Sequence, residues 1–150
     1  MDIVSKRKDP TEYLLCSMYR NVKMESENIV SLLPKVEDRL LAVEMTKSLQ
    51  GYMDLSRSVE NMMRLRGIEP IPAGVLSKIG ARAGAFINTI MNTKTSKIAR
   101  LCRGESRLSA QRLENICEEV SPRCDARVVG VCREIIEKER QNCERMEAFI

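Results

Sequence analysis

Four glutamates interrupt apolar stripes and are the side chains best placed to do chemistry. Glu25 stands where the series Leu15, Met18, Val22, Ile29, Leu32 lacks a member, and Glu139 does the same among Val129, Cys132, Ile136, Cys143, Met146 and Ile150. Glu105 lies between Leu101/Cys102 and Leu108 in a series that continues through Leu113, Ile116 and Val120. Glu60 lies between Met53 and Met63, at the edge of the series Leu41, Met45, Leu49, Tyr52, Leu55, Val59, Met62. A carboxylate on an inward stripe is costly unless it is paired, protonated or bound to a cation. One such residue in each of four segments therefore points to a metal-free polar core, to an oxygen-ligand metal site, or to glutamates that sit at the bundle margin. Their spacing is regular: 35 residues separate Glu25 from Glu60 and 34 separate Glu105 from Glu139, whereas 45 separate Glu60 from Glu105.

What the chain lacks narrows the chemistry further. It has no histidine, which excludes a Ser-His-Asp triad, a His-activated cysteine, an HExxH zinc site and any imidazole ligand. Neither GxxxxGK[ST] nor GxGxxG occurs, so nucleotide binding has no motif. The six cysteines (16, 102, 117, 124, 132 and 143) contain no CxxC pair. Several fall at helix-core spacing, and we read them as reduced thiols packing as small apolar groups in a cytoplasmic protein. The net charge of +4 is spread along the chain. The stripe Lys97, Arg100, Arg103, Arg107 reads as a solvated helix face, since aromatic residues make up only 3% of the chain and leave little to stack on bases.

Punctuation assigns the 150 residues to a single all-α domain. Asp9-Pro10-Thr11-Glu12 starts a helix expected to run from 10 to 33 and to stop at Pro34. A second is expected from Val36 to Gly67, with Pro70 and Pro72 beyond. A third runs from Thr95 or Ser96 to Val120, and a fourth from Ser121-Pro122 almost to Ile150. Residues 1–9, with Lys6-Arg7-Lys8, read as a basic tail rather than a signal peptide. Residues 68–94 read as a crossover carrying a short amphipathic helix over 73–91, whose apolar residues are Leu76, Ile79, Ala83, Phe86 and Ile90. Gly80 and Gly84 would let that helix approach another closely, and Lys78 with Arg82 would give it a modest basic face. No run approaches the ~20 apolar residues of a membrane span.

Two equal hairpins joined by a long link, with one inward glutamate per helix, resemble the ferritin-like superfamily, the four-helix bundles related to rubrerythrin and bacterioferritin. The segments Gly67-Ile68-Glu69-Pro70 and Gly104-Glu105-x-x-Leu108 resemble a small bacterial branch of unknown function within it. The resemblance implies an antiparallel four-helix bundle with a long crossover. It also implies a metal-ligand set at Glu25, Glu60, Glu105 and Glu139, with Met63 and Asn142 standing where the family carries histidines. Thioether and amide oxygen do not replace imidazole for iron. The expectation is thus a degenerate site with no cofactor, in a non-catalytic bundle that acts through self-association or a protein partner, without nucleic acid. Two alternatives stay open: a carboxylate-bridged metal-binding protein or oxidoreductase using a divalent metal, and a peripheral membrane or nucleic-acid binding module.

Overall fold

The computed structural model describes residues 9–70 and 94–150. The tail before Asp9 and the expected 73–91 helix lie outside the described residues. The described residues form four helices, α1 (Pro10–Leu32), α2 (Arg39–Leu65), α3 (Thr95–Val120) and α4 (Ala126–Glu147), with short 3-10 turns at Leu33–Lys35 and Ser121–Arg123. No strand occurs among the described residues, and no helix there is long and apolar enough to cross a membrane.

Aspartate caps set three of the four helix starts, and α3 begins after Lys94 without a side-chain cap. Asp9 accepts from the Thr11 amide at 3.1 Å, and Pro10 fills the first turn, where its missing N–H costs nothing. The expected start of the second helix at Val36 is corrected to Arg39. Asp38 accepts from the Leu41 amide at 2.8 Å and caps the helix, while Val36 is extended. The fourth helix likewise begins at Ala126 rather than Ser121, because Ser121-Pro122-Arg123 closes a 3-10 turn and Asp125 takes the cap, 2.8 Å from the Arg127 amide.

α2 ends in a glycine cap of Schellman type. The Ile68 amide reaches Met63 O at 2.9 Å, the Gly67 amide reaches Arg64 O at 3.0 Å, and Gly67 takes φ of 69°. A Cβ at Gly51, in α2, would collide with the Lys138 side chain, whereas one at Gly104 or Gly130, inside α3 and α4, would meet nothing within 4 Å. We expect Gly104→Ala and Gly130→Ala each to stabilise by about 1 kcal/mol, and Gly67→Ala to destabilise by about as much. Urea midpoints read both signs.

The pairings fix the helix directions. At one end the Asp125 amide donates to Thr11 Oγ1 at 3.1 Å, and Arg66 pairs with Asp125 at 2.6 Å, so α1 and α4 begin where α2 finishes. At the other end Arg103, early in α3, pairs with Glu147 at the close of α4 at 2.7 Å. The order is up-down-down-up. The packed neighbours α1/α2, α3/α4, α1/α3 and α2/α4 run antiparallel, and α1 also packs against α4, to which it is parallel. Residues 66–94 therefore join opposite ends of a bundle in which α2, with 27 residues, is about 40 Å long.

Large apolar side chains fill the core at both ends, including Leu14, Leu15, Met18, Val59 and Met63 toward one and Leu32, Leu41, Met45, Ile98 and Met146 toward the other. The apolar stripes of α1 and most of α4 fall where the spacing puts them, although Ile150 is exposed and Cys143 half-buried. Those of α2 and α3 are displaced. Leu49, Leu55 and Met62 are half-buried and Leu108 is 59% exposed, while Ser48, Ser56, Ser106 and Ser109 take the inward positions. All six cysteines are free thiols, with Cys102, Cys117 and Cys132 buried. Lys97, Arg100 and Arg107 are exposed, and the fourth member of that stripe, Arg103, is the partner of Glu147.

Candidate functional site

The middle of the bundle is polar. α1 presents Asn21, Glu25 and Asn28 there, α2 presents Ser48, Tyr52 and Ser56, α3 presents Ser106 and Ser109, and α4 presents Glu139 and Asn142, all buried. The serines follow from spacing: Cys102, Ser106, Ser109, Leu113 continues the alternating steps of α3, and Met45, Ser48, Tyr52, Ser56, Val59 does the same in α2. Their small volume leaves room for the Tyr52 ring and two carboxyl groups between the helices.

Glu25 and Glu139 are the centre of this layer, 3% and 0% exposed. Ser109 Oγ donates to Glu25 Oε1 at 2.8 Å, and the Tyr52 hydroxyl donates to Glu139 Oε1. Ser48 Oγ donates to Asn142 Oδ1 and Asn142 Nδ2 donates to Ser106 Oγ, both at 2.7 Å, so one amide joins α2, α3 and α4. Asn21 faces the Glu139 carboxyl, yet Asn21 Nδ2 and Glu139 Oε2 are both buried without a hydrogen-bond partner.

Electrostatics follow from burial. Desolvation, with a smaller push from Glu105, raises the Glu25 carboxyl to about 7 against the pull of Ser109 and Arg112. Desolvation and then the Glu25 charge raise Glu139 to about 9, although Tyr52, Ser109 and Asn21 oppose the shift. Burial and the two carboxylates push the Tyr52 hydroxyl far up, so it remains a donor. Burial, with Glu25 and Glu105 nearby, pushes the Cys102 thiol up to about 12, which makes it inert as a nucleophile.

The four sequence-derived glutamates separate into two classes. Glu25 and Glu139 come together in the interior. Glu60 sits at the rim with its side chain 18% exposed, 3.5 Å from Lys23 Nζ and 3.6 Å from Arg64, and Tyr19 faces it. Glu105 is half-buried beside the pair, close enough for its charge to act on Glu25. Met63 is fully buried among apolar side chains, and Asn142 is committed to the two serines. Among the described residues no three His, Cys, Asp or Glu side chains are grouped so as to hold a metal ion. The hydroxyl donors escape a reading that treats serine as surface; unbroken three-and-four spacing through Ser106 and Ser109 is the signal that finds them.

What the layer can do chemically is hold protons on two buried carboxyl groups and tie four helices together through directional bonds. No family model, no curated protein and no solved structure matches the chain.

Proposed function

We propose that the chain is a ferritin-like bundle whose central site has become a structural polar core, and that it acts by binding, through a surface of the bundle, rather than by metal-based redox chemistry. The up-down-down-up order supports the ferritin-like reading, because that order needs one long crossover between the second and third helices. The observation that carries the functional reading is the pairing of carboxyl, hydroxyl and amide groups with one another inside the core, where Asn21 Nδ2, Asn28 Oδ1, Ser56 Oγ and Glu139 Oε2 have no partner among the described residues. The Glu25 and Glu139 carboxyls accept from Ser109 and Tyr52, and Asn142 spends its amide on Ser48 and Ser106. This donor set does not fit a di-iron centre. Imidazole is absent, Met63 is in apolar packing, and Glu60 is turned to two cations at the rim.

Elemental analysis of the tag-free protein, followed by melts with manganese, iron and calcium, tests the reading. The expected result is a metal-free protein whose melting temperature none of the three ions moves. Near-stoichiometric metal, or a melting shift that Glu25→Gln abolishes, would overturn it and favour the carboxylate-bridged metalloprotein.

A further inference from the structure

An open groove of about 730 Å³ runs along α1 and α2, and Ser56, a buried member of the polar layer, is one of the residues that line it. The Lys23–Glu60 pair sets the antiparallel register of the two helices. The same register brings Glu27 opposite Ser56 and Val30 opposite Met53, and all four line the groove. Two polar atoms in it have no partner among the described residues. Ser56 is 3% exposed with its hydroxyl unbonded, and Glu27 Oε2 is buried and unbonded. Such groups are rare in a native fold and costly to leave unmade. Next to them the wall turns apolar, with Leu49 half-buried and Val30 and Met53 exposed by 56% and 48%.

We propose that this groove binds an unbranched aliphatic primary amine, its ammonium held between Glu27 Oε2 and Ser56 Oγ and its methylenes laid against Val30, Leu49 and Met53. An ammonium supplies three donors, and here it meets a buried carboxylate oxygen and a hydroxyl that can accept. Burial pushes the Glu27 carboxyl up while Lys23 pulls it down; a second cation at Oε2 acts in the same direction as Lys23. An anionic ligand is disfavoured because Lys23 is already paired with Glu60 and Arg57 with Asp54 at 2.8 Å. The assignment gives the binding role proposed above a site and a ligand class, but it does not depend on the state of the core.

The test is an NMR titration of the full chain with n-hexylamine, with n-hexanol and hexanoate as controls. Hexylamine is expected to bind with a Kd on the order of 1 mM and to shift resonances of α1 and α2 around the groove. Hexanol, hexanoate and the variant Glu27→Gln are expected to be at least ~10-fold weaker, and Ser56→Ala about threefold weaker. N-acetyl-lysine methylamide carries the same ammonium on a peptide. Tighter binding than hexylamine assigns the groove to a partner's lysine, and weaker binding assigns it to a free amine; both uphold the amine chemistry. The proposal is overturned if hexylamine does not bind, if hexanoate binds as well as it does, or if Glu27→Gln leaves binding unchanged while its melt shows a folded protein. Any of these results leaves the metal titration of the core, and the reading it tests, untouched.

Discussion

Replacing Glu139 with glutamine is expected to raise the melting temperature at pH 8 by roughly 10 °C, and to raise it much less at pH 5. The wild-type carboxyl is fully buried and holds its proton to about pH 9, while in the unfolded chain it releases that proton near its ordinary value of 4.5. With the folded value raised, stability is fully present below the unfolded value and is lost as pH rises toward the folded one. At pH 7 the loss from Glu139 alone is on the order of 3 kcal/mol, since each unit of difference is worth about 1.4 kcal/mol. Glu25, raised to about 7, adds a loss of the same sign between pH 5 and 7. Glutamine keeps the oxygen that accepts from Tyr52 and has no proton to lose, so the variant's stability is flatter with pH. Melts from pH 5 to 9 in one buffer series check both the magnitude and the slope. A wild-type curve that rises with pH over this range would contradict the assignment.

Asn142→Ala is expected to destabilise by about 3 kcal/mol. The amide accepts from Ser48 and donates to Ser106, and it is 5% exposed. Its removal strands two buried hydroxyls and opens a small cavity in the middle of the bundle. The same reasoning predicts non-additivity. In Ser48→Ala/Ser106→Ala/Asn142→Ala the three groups leave together and only the contact of Ser106 with the Tyr52 hydroxyl is broken, so the triple variant is expected to lose less stability than the three single losses summed. Urea midpoints of the single and triple variants measure the difference. Strict additivity would mean the three side chains do not act as one network.

The helices were legible because their interiors alternate large apolar residues by threes and fours, and because Asp9-Pro10 and Gly67 are strong punctuation. Two starts were displaced for a local reason. Asp38 and Asp125 each lie several residues beyond the expected start, and in each case a carboxylate accepting a backbone N–H outcompeted the residues before it. Glu25 and Glu139 could be read as inward because their neighbours on the stripe are large and apolar; the structure buries both. Glu105 could not be placed in that way. Hydropathy pairs it with Leu108, yet the face that turns inward carries Ser106 and Ser109, and Leu108 is exposed. Hydropathy alone scores serine as a surface residue, so only the three-and-four spacing marks Ser106 and Ser109 as inward, and the bond from Ser109 to Glu25 explains why a hydroxyl is tolerated there. The cross-helix pairing of Tyr52 with Glu139, 87 residues apart, is equally invisible to local spacing.

On the proposed reading, the buried carboxyls of Glu25 and Glu139 hold protons as part of the fold and bind no metal. Infrared spectroscopy of the tag-free protein at neutral pH addresses it most directly, because a protonated carboxyl has a C=O stretch distinct from that of a carboxylate. Such a band is expected at pH 7, reduced in Glu139→Gln to the share that Glu25 carries, and unmoved by manganese, iron or calcium. Absence of the band at pH 7, or its replacement by a carboxylate signal when one of those ions is added, would contradict it.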